Sequence, residues 1–590
     1  MSAYTPPPAF TTRPQLTGTF GMAASTHATA TAVAQAVLER GGNAFDAACA
    51  GGFVLHLVEP HLNGPGGDLV GLFQPADAEA PTVLMGQGAA PAGATIAHFQ
   101  REGLDLVPGA GGLAAAIPAA VDAWLLLLRD HGTWAVTDVL SYAISYADNG
   151  HPLLPAAAAT IGRVADLFRE HWPSSADVWL PGGAVPPAGA LHRNPAYANV
   201  LRRLAAVADE SDDRTAGIDA ARGEWRRLLA DACEFLAQPH RHSSGADHAA
   251  VIRPEDLIEA PASYEEPLSA SFRGRKVFKA DAWSQGPALL EALRILDPLP
   301  DDHLDPSTAW GAHTVVEVLK LVLADRDAYF GDGADAAPLL SDAVVLARRA
   351  AIGEQASSEW RPVRLSGAEP WVPPLRREGG IAAGTGEPTV ARTGDTRGDT
   401  CHIDVVDRWG NIVSVTPSGG WLQSSPVIPS LGFCLGTRLQ MCWLDDSSPA
   451  ALRPGHRPRT TLSPTLVHDG NTRIALGTPG GDQQDQWQLP MLLRMIVGGY
   501  TAQEAIDAPT LHTTAMVDSF WPRTWDPTGV VVEARVGESV LRGLAERGHR
   551  VTRVGDWSLG RLSAVAIDGD TGILWGAANA RGMQGYAAGR

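Results

Sequence analysis

After residue 400 the chain repeats one arrangement three times: an alternating run, a tight polar turn and a second alternating run. Residues 401–406 alternate, Asp407-Arg408-Trp409-Gly410-Asn411 is a hairpin-type turn, and residues 412–416 return. Residues 464–467 and 472–476 flank Asp469-Gly470-Asn471, and residues 563–567 and 573–577 flank Asp568-Gly569-Asp570. Period-two alternation assigns side chains to the two faces of a sheet. Helical stretches at residues 486–496 and 501–506 separate the strand pairs, with no extended βαβ alternation. Strand pairs separated by helices predict a layered α+β sandwich.

The preceding chain has another texture. Residues 28–38 and 44–57 read as two helices, the first ended by Gly41-Gly42-Asn43. His61-Leu62-Asn63-Gly64-Pro65-Gly66-Gly67-Asp68 follows, a turn glycine-rich enough to imply unusual backbone dihedrals. Residues 69–73 and 82–85 are short β-like runs. Residues 112–350 read as mostly helical, with apolar helical spacing at 119–127, 201–207, 224–236, 287–296 and 314–329. Residues 209–213 and 239–249 look like surface connections. Residues 376–399 lose apolar periodicity, become rich in Gly, Arg, Thr and Asp, and are expected to form a mobile loop.

Composition narrows the function classes. The 590 residues carry 46 basic and 65 acidic side chains, a formal charge of −19, which argues against non-specific binding to nucleic acid or an anionic membrane. Five cysteines (Cys49, Cys233, Cys401, Cys434, Cys442) form no CxxC pair, so neither a disulfide framework nor a cysteine-rich zinc site is expected. No apolar stretch approaches the roughly 20 residues of a membrane helix, and no secretory signal is visible. A cytoplasmic location is the expectation.

The chemistry gathers at Gly398-Asp399-Thr400-Cys401-His402, where the loop meets the first alternating run. A threonine hydroxyl needs a base beside it to act as a nucleophile. Cutting the chain before the threonine supplies one, its own α-amine, whose pKa of about 7.7–8.0 suits general-base work near neutral pH. By itself, Thr400 reads more readily as the plain start of a strand. Gly477-Thr478-Pro479-Gly480-Gly481-Asp482 links a strand to a helix; by itself it reads more readily as a plain turn, but its paired glycines can aim backbone N–H groups at one point as an oxyanion hole.

Together with GGNAFDAACA (41–50), VEPHLNGPGGD (58–68), WSQGPALLEAL (283–293), EVLKLVLADRDAYFGD (317–332), GDTCHIDVVDRWGNIVSVT (398–416), PGHRPRTTLSPTLV (454–467), GTPGGDQQDQWQ (477–488) and ARGMQGYAAG (580–589), these segments resemble the γ-glutamyltransferase (γ-glutamyltranspeptidase) family of N-terminal-nucleophile hydrolases over nearly the whole chain. The resemblance implies an αββα four-layer sandwich and self-cleavage between Asp399 and Thr400. Residues 1–399 and 400–590 would then be the large and small subunits of one precursor. Thr400 would be the nucleophile, and Gly480 and Gly481 the oxyanion hole. Thr416 and Ser418 fall where the family has two threonines, the second of which supports the nucleophile. Thr460 and Thr461 match paired hydroxyls that help hold a substrate carboxylate. The implied reaction is acyl transfer from a γ-glutamyl or related small acidic amide to Thr400, then attack by water or an amine.

The departures bear on specificity. Where glutathione-processing members grip the substrate carboxylate with arginine, this chain has Gln87, and an amide cannot replace a bidentate guanidinium–carboxylate pair. The family's amino-group-binding asparagine, glutamine and aspartate fall on Gly420, Arg438 and roughly Met441. The expectation is a pocket that has lost a carboxylate and gained a cation, suited to a short anionic acyl group, with a solvated or structural ion pair as the alternative reading of Arg438. Asp482 is a candidate for a substrate amine, with helix capping as the alternative. His240, His242 and His248 lack metal-site spacing, and no metal or cofactor is expected. His402 reads as packing or support, because Cys401 beside it points to the opposite face. Homo-oligomerisation is left open. Two rival readings remain: a specialised member acting on oxamate-type amides, acylated substrates or a C–C bond, and an uncleaved, inactive relative with a binding role.

Overall fold

The computed structural model describes residues 4–259, 261–377 and 400–590. Asp399 and all but the first two residues of the expected 376–399 loop lie outside the described residues. Fourteen strands form two seven-stranded sheets. In chain order they are β1 (Leu16–Gly18), β2 (Gly21–Ser25), β3 (Asp68–Gln74), β4 (Thr82–Gly86), β5 (Ser263–Glu265), β6 (Leu268–Phe272) and β7 (Arg275–Lys279). Then come β8 (Ile403–Asp407), β9 (Ile412–Ser418), β10 (Thr465–Asp469), β11 (Thr472–Gly477), β12 (Ser563–Asp568), β13 (Leu574–Ala578) and β14 (Tyr586–Gly589). One sheet runs β1-β13-β12-β11-β10-β7-β6 and the other β14-β2-β8-β9-β3-β4-β5, with every pairing antiparallel. All three expected hairpins are present, as β8–β9, β10–β11 and β12–β13.

Alternation along each strand decides which core its side chains join. In the second sheet Leu69, Phe73, Leu84, Val405, Val413 and Val415 pack with helices. These helices are α1 (Ala28–Glu39), α2 (Ala44–Val58), α3 (Ala120–His131), α4 (Val136–Asn149), α5 (Pro195–Asp209) and α6 (Arg214–Leu236). Their neighbours Met22, Val70, Leu72, Val83, Val406 and Ile412 face the other way, onto Phe278, Leu466, Ala475, Val565 and Ile567 of the first sheet. In that sheet the alternate residues Val277, Val467, Ile474, Leu476 and Ala564 pack against α7 (Gly286–Leu296), α8 (Ala309–Tyr329) and α9 (Gln484–Ile496).

The middle region departs from its mostly helical expectation in one respect. β5, β6 and β7 lie within it, and they complete the edges of both sheets. Their short runs are bounded by helices on either side, so helical periodicity in the neighbouring windows hides them. None of the helices in the described residues is long and apolar enough to cross a membrane.

Candidate active site

Thr400 forms a bridge with Ser418 at the end of the β8–β9 hairpin, and their hydroxyl oxygens lie 3.3 Å apart. Both residues are buried. Two positions further along each strand, His402 Nδ1 is 2.8 Å from Thr416 Oγ1, and His402 Nε2 is 2.8 Å from Asp404 Oδ1. Ser414 then donates to Asp404 Oδ1 at 2.7 Å, and Ser563 of β12 donates to Oδ2 at 2.8 Å. Thr400, His402 and Asp404 therefore face Ser418, Thr416 and Ser414 as a polar ladder on the face turned toward the other sheet. Thr416, expected at the catalytic centre, spends its hydrogen bond on His402. Cys401 points the opposite way, as strand geometry requires, and burial beside Glu59 pushes its thiol far above the ordinary value.

The next strand carries the ladder onward. Ser418 pairs with Asp68 at the start of β3. The turn before Asp68 packs tightly on the chain after Ser418: a Cβ on Gly67 would sit 2.0 Å from the Ser418 carbonyl oxygen. Glycine serves close approach here, and the left-handed dihedrals expected of this turn instead occur opposite it, at Gly419 (φ +70°) and Gly420 (φ +61°). Asp68, Gln87, Ile117 and Arg438 line a pocket of about 180 Å³.

Arg438 Nε lies 2.9 Å from Asp68 Oδ2, both side chains being buried. Of the two readings of Arg438, the ion pair is the one present: a carboxylate is supplied from β3, and the pair is neutral overall. Burial pushes the Asp68 carboxyl above its ordinary value, against the pull of the Arg438 guanidinium. Arg438 Nη2 and Gln87 Oε1 are buried with no hydrogen-bond partner among the described residues. Asp68 Oδ2, although 2.9 Å from Arg438 Nε, likewise has no hydrogen-bond partner among the described residues, so the pocket offers a carboxylate oxygen beside these two atoms.

The oxyanion candidates come from the other sheet. β11 ends at Gly477, where the His402 ring packs so closely that a Cβ would meet it at 2.2 Å. The chain then turns through Gly480 (φ +132°) and Gly481 (φ +50°), whose backbone N–H groups donate to no described residue. Asp482, expected to meet a substrate amine, does not present a free carboxylate. Its Oδ1 is held by Arg326 and by Ser519 Oγ at 2.6 Å, and its Oδ2 by Ser519 N at 2.8 Å. Helix capping is not its role either: it anchors the glycine turn to α8, where Arg326 also bonds Gln285 and Asp327. Burial and the neighbouring Arg326 lower the Arg459 guanidinium to about 10.

Thr460 and Thr461 follow Arg459 and are buried. Thr460 N donates to Trp283 O at 2.9 Å, while Thr461 Oγ1 has no partner among the described residues. Neither lines the Arg438 pocket. The histidine tract serves the backbone: His240 Nε2 and His242 Nε2 accept from Gly112 N and Leu113 N at 2.8 and 2.9 Å, and His248 Nδ1 meets Glu102 at 2.7 Å. Burial lowers His242 to about 3. A larger pocket, about 390 Å³, lies on the far flank of the glycine turn among His56, Trp179, Tyr197 and Phe433. None of the expected site residues lines it.

Sequence reasoning underweighted His402 and missed Asp404, Ser414 and Asp68. The signal for the first three was present. In Thr400–Asp404 and Ser414–Ser418, hydroxyls, an imidazole and a carboxylate occupy every second position between apolar residues. No local pattern announces the Asp68–Arg438 pair.

The fold is a two-sheet, helix-flanked α+β architecture, with Thr400 bridged to Ser418 and a pair of glycine N–H groups that donate to no described residue. The Gamma-glutamyltranspeptidase family model matches residues 30–589, and the chain belongs to that family of N-terminal-nucleophile hydrolases. A solved structure of LmbA2991HD is 49% identical with a TM-score of 0.93, the match covering 98% of this chain and 100% of that one. The oxamate amidohydrolase proenzyme of Klebsiella pneumoniae is 29% identical, covering 97% of this chain and 98% of its own. The glutathione hydrolase-like YwrD proenzyme of Bacillus subtilis is 28% identical, covering 96% and 98%.

Proposed function

We propose that the protein is an autoprocessing threonine amidohydrolase whose precursor is cut between Asp399 and Thr400 and whose two pieces build one αββα four-layer sandwich. The observation that carries this reading is the Thr400–Ser418 hydroxyl pair, placed one strand from Asp68, which lines a pocket with Arg438 and Gln87. Relatives named as proenzymes support the cleavage. The acyl group enters the Arg438 pocket. Thr400 Oγ1 attacks the acyl carbon while the α-amine of Thr400 takes the hydroxyl proton. The N–H groups of Gly480 and Gly481 hold the developing oxyanion. The scissile C–N bond breaks as the proton passes to the leaving amine, leaving an acyl ester on Thr400. Water, or an amine acceptor, then breaks the ester and restores the hydroxyl.

The acyl group is small and carries an oxygen-rich, acidic end without a free ammonium. Arg438 Nη2 can donate to such an end. With Arg438 Nε already on Asp68, an incoming ammonium would face a neutralised carboxylate, which disfavours an unmodified γ-glutamyl group. Oxamate-type amides fit better, and the name of the Klebsiella relative points the same way. Denaturing electrophoresis with terminal sequencing tests the scission: a fragment of residues 400–590 beginning at Thr400 is expected. Turnover of an oxamate-type amide should exceed that of γ-glutamyl-p-nitroanilide, and the reverse ranking would remove the substrate assignment.

A further inference from the structure

The ladder below Thr400 has a direction. Asp404 can only accept when ionised, and it accepts from three donors: His402 Nε2, Ser414 Oγ and Ser563 Oγ. Nε2 therefore carries the ring hydrogen, and in the neutral ring Nδ1 has only a lone pair to present. The hydroxyl hydrogen of Thr416 must then point to His402 Nδ1, at 2.8 Å. Thr416 is left with lone pairs alone on the side of the sheet face that leads to Ser418 and Thr400. The hydrogens of Thr416, His402 and Ser563 point toward Asp404, Ser414 has both Asp404 Oδ1 at 2.7 Å and Leu476 O at 3.2 Å to donate to, and all of these residues are buried. Chains of this kind polarise one another in a low-dielectric interior. A carboxylate orienting an imidazole that in turn orients a hydroxyl is also the logic by which hydrolases prepare an oxygen for reaction.

We propose that Asp404, His402 and Thr416 form a positioning relay for the nucleophile, in which the carboxylate sets the imidazole tautomer and the imidazole makes Thr416 a pure hydrogen-bond acceptor at the Thr400 end of the ladder. The Thr416 oxygen, one ladder step from the Thr400–Ser418 pair, then acts on that pair as the negative end of an oriented dipole chain, favouring an inward turn of the Ser418 hydroxyl hydrogen and leaving the Thr400 hydroxyl hydrogen to pass to its own α-amine. His402 is thus a positioning residue, acting on Thr400 without touching substrate. The inference rests on the reading of Thr400 as nucleophile.

The test is Asp404→Asn, nearly isosteric, measured on the matured enzyme beside Thr400→Ala. An amide at position 404 can donate to Nε2, which reverses the tautomer and the direction of the Thr416 hydroxyl. The expected result is a fall in kcat of at least about 100-fold with KM within about twofold, measured below the melting temperature, which should drop modestly because Ser414 loses its acceptor on Oδ1. His402→Gln, which can both accept from Thr416 and donate to Asp404, should restore part of the rate that His402→Leu removes. Should His402→Leu fail to fold, Thr416→Val provides the comparison, and combining it with Asp404→Asn should add no further loss. Wild-type kcat in Asp404→Asn, with Thr400→Ala inactive, overturns the relay and leaves the nucleophile intact. Activity surviving in Thr400→Ala would overturn the nucleophile itself, so the two failures are distinguishable.

Discussion

Between the two sheets, β3 and β4 contribute Val70, Leu72, Val83 and Met85, while the adjoining β8 and β9 contribute His402, Asp404, Ser414 and Thr416 from the same face. Both patches are buried. The first is stabilised by area removed from water, roughly 25 cal/mol per Å² of apolar surface. The second exchanges water hydrogen bonds for internal ones at a net gain of only about 1 kcal/mol each, and would be destabilising if any member lost its partner. A fold selected for stability alone would have extended the apolar patch across both hairpins. The polar patch begins at Thr400 and leads inward from it, which is what the proposed relay requires.

The sharpest way to break this comparison is Thr400→Ala. Activity should fall by at least about 10³-fold and the 400–590 fragment should disappear, with the melting temperature almost unchanged. Asp482→Asn probes the buried charges behind the glycine turn. It should destabilise by about 3–5 kcal/mol, because Arg326 and Arg459 lose their compensating charge. Burial alone would raise the Asp482 carboxyl, but Arg326, Arg459 and the Ser519 hydrogen bonds hold it below the ordinary 3.8. A depressed folded value means its contribution is present above the unfolded value and is lost as pH falls through the folded one. Melting curves of wild type and Asp482→Asn should therefore converge below about pH 4, and a gap constant across pH would exclude the carboxylate as its source.

Leu466→Ala sharpens the contrast from the apolar side. A cavity there should cost about 2–5 kcal/mol in urea unfolding while kcat of the folded fraction stays at the wild-type level. The smallest effect belongs to Arg438→Lys, which keeps the charge but loses the planar fork. KM for an amide with an acidic acyl group should rise about tenfold, or about 1.4 kcal/mol, with precursor scission unaffected. An unchanged KM would move the acyl group out of this pocket.

Much of this was legible from the chain alone. The three hairpins, both N-terminal helices and the strands around the glycine turn follow from periodicity and turn chemistry, which act over a few residues. The short strands β5–β7 were not legible, because three to five residues beside long helices carry too little pattern. The site divides along the same line. Thr400, Ser418 and the paired glycines were visible as local motifs. The partners of Asp482 and Arg438 were not legible, because each lies far away in sequence: Arg326 for the first, and Asp68, 370 residues distant, for the second.

The amino-acid order by itself determined the alternation that puts Thr400, His402 and Asp404 on one face, since that parity is a property of any extended strand. It also determined where glycine must stand. Only the tertiary structure decided that this face would be the one between the sheets, that Ser563 would close the ladder from the opposite sheet, and that Asp68 would neutralise Arg438. Those outcomes depend on which strands become neighbours, and neighbour choice is set by the burial of whole faces against one another.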